Sequence, residues 1–231
     1  MVGHTYISKF TFEEVCPDLQ ELHLFLKTAE TDEDYPVNVA FREIMPLLGD
    51  DSDIVGGYII RKSEDTPLNT GAQIQGYLRG ASHLAFFVCT AGQIFSRLTE
   101  QYNKDSAYLE AFIVDAIGSL TVENAMNKTQ AQLETFANEN GMQISNRYSP
   151  GYCNWHLSGQ RELFGYMENI PVNVSLTESC LMLPIKSVSG IIGIGKNIRK
   201  REYACQICKN KNCIYRKLIN DKLPQPTEGG F

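Results

Sequence analysis

Apolar positions along the chain keep two rhythms, and each rhythm predicts a different kind of element. From residue 105 to residue 139 the rhythm is helical, with Leu109, Phe112, Ile113, Ala116, Ile117 and Leu120 on one face. The face drifts after Gly118-Ser119 and resumes at Met126, Leu133, Phe136 and Ala137, so the stretch reads as one long helix or as two broken near residue 119. Gly141 is placed to cap its C-terminal end. Asp115 interrupts an apolar turn. It reads as a solvated or hydrogen-bonded structural carboxylate, with a ligand-facing carboxylate as the alternative.

Shorter helices are expected over 17–30 (Leu19, Leu22, Leu26), over 37–48 up to Gly49, near 72–80, after Ala91-Gly92, and over 158–169 (Leu163, Phe164, Met167). Residues 54–61 read as a strand. Residues 83–90 form a continuous apolar run bounded by polar positions, which predicts a buried strand. Residues 171–177 alternate through Val172, Val174 and Leu176, residues 187–195 are β-branched and Gly-rich, and the two are expected to pair. Residues 1–16 alternate weakly, as an edge strand does. Helices and strands mix without regular βαβ spacing, and no Gly-x-Gly-x-x-Gly run opens a helix after a strand. The expected architecture is α+β, a mainly antiparallel twisted sheet with long helices. Residues 1–100 read as an N-terminal α/β portion, 101–220 as a ligand-binding core packed with it, and the Pro/Gly-rich 221–231 as a flexible tail.

Composition narrows the function classes. At 43% hydrophobic and 21% charged residues, the chain has the balance of a soluble globular protein. A net charge of −6 argues against nucleic acid or an anionic membrane as the main partner. No apolar run reaches the ~18 residues of a membrane span. The N-terminus lacks the basic-then-apolar pattern of a signal peptide. Seven cysteines, an odd number with three near the C-terminus, do not form the framework of a secreted disulfide protein, so the expected location is cytoplasmic.

The densest candidate chemistry is Arg147-Tyr148-Ser149-Pro150-Gly151-Tyr152. Pro150 fixes its own φ and Gly151 permits positive φ, so backbone can come close to a bound molecule. Arg147 offers a rigid fork of donors to a carboxylate, and Tyr152 a flat apolar face with a polar tip. Taken alone, the hexapeptide is also readable as a Pro-Gly turn with a surface Arg. A second run follows, Leu176-Thr177-Glu178-Ser179 continuing through Pro184 to Ser187-Val188-Ser189-Gly190. Glu178 and Lys186 in this run read as a turn with a strand-end ion pair.

Together, in this order and spacing, the two runs resemble the activation (reactivation) domain of cobalamin-dependent methionine synthase, with its R-x-x-P-G-Y and L-T-E-S…P…S-V-S-G signatures. The resemblance is specific over residues 107–195. It implies the same α+β fold and S-adenosylmethionine binding by Arg147, Ser149, Gly151 and Tyr152, with Tyr203 as a further tyrosine near the ligand. The family carries an acid six positions before the motif Arg; here that position is Gly141, with Glu139 nearby. The resemblance further implies reductive remethylation of cobalamin carried by a methionine synthase or related corrinoid partner. The electron would come from a flavodoxin- or ferredoxin-like donor. The chain lacks the D-x-H-x-x-G loop and is too short for the substrate barrels, so it reads as a stand-alone reactivation subunit of that methyltransferase, acting in trans in methionine biosynthesis.

Cys205, Cys208 and Cys213 make a second constellation. A C-x-x-C pair with a third cysteine five residues on can bind zinc or an iron–sulfur cluster, with Cys153, Cys180 or His156 as the fourth ligand. Free thiols or a redox pair remain as alternatives. A second function class follows from this cluster, a metal- or iron–sulfur-bearing redox accessory protein for another corrinoid methyltransferase. Hydrolase and nucleotide-binding motifs are missing, and His4, His23, His83 and His156 are scattered.

Overall fold

The computed structural model describes residues 2–28, 33–49, 53–168 and 170–201. In chain order the elements are β1 (Thr5–Phe10), α1 (Phe12–Val15), α2 (Leu19–Leu26), α3 (Pro36–Ile44), β2 (Ile54–Lys62), α4 (Gly71–Tyr77) and β3 (His83–Thr90). There follow α5 (Ile94–Lys104), α6 (Tyr108–Glu139), β4 (Gln143–Tyr148), α7 (Gly159–Gly165), β5 (Ser175–Leu176), β6 (Met182–Leu183) and β7 (Ser187–Gly195). Five strands form one antiparallel sheet in the order β1-β2-β3-β7-β4. The fold class is the expected α+β.

Two apolar layers sandwich this sheet. On one face Tyr58, Phe87, Cys89 and Ile192 pack beneath helices α1–α3, α5 and α6. On the other Phe86, Val88, Tyr148 and Ile191 pack against Ile74 of α4, Leu163 of α7 and Trp155. The strands therefore read as near-continuous apolar runs, since both faces are covered.

Helix α6 is a single unbroken helix. Gly118 does not break it: a side chain there would stand 2.7 Å from the Phe95 ring, so glycine admits α5. Thr121 and Thr129 are buried and donate to the carbonyls of Ile117 and Ala125, at 2.8 and 2.9 Å. At its C-terminus Met142 N–H bonds Ala137 O at 2.9 Å and Gly141 N–H bonds Asn138 O at 2.9 Å, with Gly141 at φ +68. This is the Schellman arrangement, and Gly141 holds the left-handed position expected of it.

Two expectations are corrected. Residues 171–177 do not pair with 187–195: β7 runs between β3 and β4, and only Ser175–Leu176 is a strand, paired with Met182–Leu183. Pro171 has no amide hydrogen to donate, and Val172 and Val174 bond back two residues, to Ile170 and Val172, rather than across a ladder. The helix expected over 37–48 ends at Ile44 and tightens into a 3-10 turn over Met45–Leu47, where Pro46 stands.

Candidate functional site

Strand β4 delivers Arg147 to the face covered by α6, opposite Ile192 of β7. Its guanidinium Nη1 stands 3.3 Å from Glu123 Oε2, and Nη2 donates to Asn127 Oδ1 at 3.2 Å. Glu123 and Asn127 lie one turn apart on α6, so they share a face. The Arg147 side chain is 23% exposed and that of Glu123 34%, so the pair is partly buried and still reached by solvent.

Past Tyr148 the chain turns sharply. Tyr152 N–H bonds Ser149 O at 3.2 Å, with Pro150 second and Gly151 third at φ +93, the requirements of a type II turn. Gly151 N–H bonds Trp155 O at 2.8 Å and Trp155 N–H bonds Tyr152 O at 2.9 Å, so a buried indole anchors the turn. Tyr152 itself projects outward, 69% exposed. Ser149 lies over Gly190 of β7, where any side chain would collide with the Tyr148 carbonyl and come within 2.8 Å of Ser149 Oγ. The glycine that closes the second motif therefore lets the first motif cross it.

The second motif shapes the neighbouring wall. Thr177 to Leu181 close the β5–β6 hairpin through Thr177 N–H to Leu181 O (2.9 Å) and Leu181 N–H to Thr177 Oγ1 (3.0 Å). Arg161 of α7 donates to the Glu178 carbonyl, tying hairpin to helix. Lys186 pairs with α6: its Nζ stands 2.7 Å from Asp115 Oδ1 and donates to Ser119 Oγ at 2.9 Å. Asp115 is thus a paired structural carboxylate. Gln160 Nε2 donates to Ser189 Oγ at 2.6 Å, buried between α7 and β7.

In β3, at the centre of the sheet and close to the Arg147–Glu123 pair, Cys89 is fully buried. Burial pushes its thiol up to about 12; the Glu123 carboxylate adds to the rise and the Arg147 guanidinium opposes it.

A sequence profile of the family described as vitamin B12 dependent methionine synthase, activation domain, matches residues 74–217, more than half of the 231-residue chain. The chain belongs to this activation-domain family. Among solved structures, the crystal structure of the MetH reactivation domain bound to AdoHcy matches with a TM-score of 0.60 and 14% identity. The match covers 87% of this chain and 81% of that one, and it shows a shared fold. A comparison with curated proteins finds no match.

Arg147, Ser149, Gly151 and Tyr152 sit in this activation-domain fold on one strand end and the turn that follows it. Tyr203, Cys205, Cys208 and Cys213 lie outside the described residues. Among the described residues no group of three or more His, Cys, Asp or Glu side chains could hold a metal ion, and no helix is long and apolar enough to cross a membrane. Sequence reasoning missed Glu123 and Asn127. Their signal is the drift of the helical face after Ser119, where polar residues recur every four positions at 115, 119, 123 and 127.

Proposed function

We propose that this chain binds S-adenosylmethionine at the Arg147 cradle and supports reductive remethylation of oxidised cobalamin on a methionine synthase or related corrinoid protein, acting in trans. The observation that carries the reading is the opposed pair Arg147–Glu123 at the rim of the Ser149–Tyr152 turn. An α-amino acid is a zwitterion. A guanidinium fork suits its carboxylate and a carboxylate 3.3 Å from that fork suits its ammonium, so the pair matches both ends of the methionine moiety. Glu123 thus supplies an acid where the family position before the motif holds Gly141.

Tyr152 offers an exposed ring for stacking an adenine, and the turn carbonyls accept hydrogen bonds from ribose or adenine donors. The partner's corrinoid supplies the redox and methyl-accepting chemistry: one electron from a flavodoxin- or ferredoxin-like donor and the sulfonium methyl group give methylcobalamin and S-adenosylhomocysteine. The chain's own residues would hold the sulfonium and turn its methyl group toward the partner's corrinoid. Family membership supports the reading. So does the AdoHcy in the similar reactivation domain, because AdoHcy is what S-adenosylmethionine becomes on losing its methyl group.

The test is anaerobic. A cob(II)alamin-loaded methionine synthase lacking its own activation domain is mixed with a low-potential reductant and S-adenosylmethionine, and methylcobalamin is followed by absorbance. The chain is expected to restore methylation, and Arg147→Ala to slow it at subsaturating S-adenosylmethionine by at least about tenfold. Identical traces with and without the chain would overturn the reading.

A further inference from the structure

A second concave site forms where the end of α4, the first residue of β4 and the segment after β7 converge. Its cavity of about 430 Å³ is lined chiefly by Tyr77, Arg79, Gln143, Asn197, Arg199 and Arg201. Three arginines line it and, among the described residues, no carboxylate does, in a chain with 27 acidic against 21 basic residues. The local charge runs against the global one.

The site is built. Arg201 N–H bonds Asn146 Oδ1 at 2.7 Å, and Asn146 Nδ2 donates back to Arg201 O at 3.0 Å. The Arg201 guanidinium lies over the Tyr77 ring, 5.1 Å from its centroid, and Tyr77 stacks on Tyr148 at 5.8 Å. Gly195 is bare of side chain, which lets the end of β7 approach the Gly80 carbonyl, 2.6 Å from where a Cβ would stand; Arg79, Asn197 and Arg199 line the same cavity. Lys200 is directed elsewhere, to Glu134 at 2.5 Å. Among the described residues neither Arg79 nor Arg199 has an ion-pair partner.

Three like charges lining one cavity repel one another, and a bound anion offsets that repulsion. Planar guanidinium forks match the oxygens of a phosphate, and the largely polar wall suits a small, strongly hydrated anion. We propose that this basic cavity binds a phosphate group, either free or carried on a small organic molecule. The site is separate from the cradle: Asn146 and Tyr148 flank Arg147 on β4, and their side chains engage Arg201 and Tyr77 while Arg147 engages α6.

The full chain is titrated with inorganic phosphate, pyrophosphate and adenosine monophosphate at an ionic strength fixed with potassium chloride, reading Tm and the ³¹P linewidth. A saturable rise in Tm with ³¹P broadening is expected. Arg79→Gln/Arg199→Gln should weaken it at least about tenfold, and Arg199→Gln alone by less. Circular dichroism checks that the variants are folded, and Arg147→Ala should respond to phosphate as the wild type does. Tighter binding of adenosine monophosphate than of phosphate assigns an organic phosphate; equal binding assigns the free anion. An equal rise with chloride alone, no ³¹P broadening on the wild type, or a double variant of unchanged affinity would overturn the proposal.

Discussion

Two cations meet α6 two turns apart, each through a carboxylate and a neutral polar side chain four residues further on. Asp115 and Ser119 hold Lys186 at 2.7 and 2.9 Å; Glu123 and Asn127 hold Arg147 at 3.3 and 3.2 Å. The Lys186 stem lies along Gly118, and its side chain is only 11% exposed. Arg147 is 23% exposed and stands next to the outward Tyr152 turn. A lysine ammonium has three donors, and here two are engaged by neighbours at short range. A guanidinium has five, of which α6 takes two at long range, so the fork keeps donors for another carboxylate. The same helical motif therefore staples one segment and leaves the other with donors to spare, as the proposed ligand site requires.

The largest expected effect removes the ground on which both depend. Gly190→Val would drive a side chain into the Tyr148 carbonyl and displace Ser149, and should destabilise the fold by more than about 3 kcal/mol in urea unfolding. A stable variant would mean that the first motif does not need to cross β7 so closely.

Lys186→Ala separates stapling from binding. Losing the pair and the packing of its stem should cost about 1–2 kcal/mol of unfolding free energy while S-adenosylmethionine affinity stays within about twofold. A large loss of affinity with unchanged stability would erase the distinction between the two cations.

The smallest effect is on pH dependence. Cys89 rises to about 12 from an ordinary value of 9.0, so the folded state keeps a proton that the unfolded chain releases. That stability is whole below pH 9.0 and is lost as pH climbs toward about 12, at up to about 1.4 kcal/mol per pH unit. Tyr58 and Tyr148, pushed up to about 12 by burial, add to the same decline from 10.0 onward. Cys89→Ala should therefore lose urea stability less steeply between pH 8 and 10.5 than the wild type does. Parallel profiles would contradict the burial of a neutral thiol in β3.

The long helix and the buried strand β3 were legible because their patterns are strong and local. Strand β4 was not. Its register slips between Ile144 and Arg147, so Ile144 and Ser145 are buried in succession and the alternation that marks a strand disappears. The motif residues Arg147 to Tyr152 were legible as a run, while the carboxylate that pairs with Arg147 was not: Glu123 is 24 positions before Arg147 and meets it only through packing of α6 on the sheet. Asp115 and Lys186 are separated further still, and nothing local pairs them.

Calorimetric titration with S-adenosylmethionine, run on the wild type, Arg147→Ala and Lys186→Ala, decides whether Arg147 is the ligand-binding cation. Saturable one-to-one binding is expected for the wild type and for Lys186→Ala. Arg147→Ala should lose about 1.5–3 kcal/mol of binding free energy, the scale of a charge-assisted pair. Equal binding by wild type and Arg147→Ala, or loss confined to Lys186→Ala, would contradict that role for Arg147.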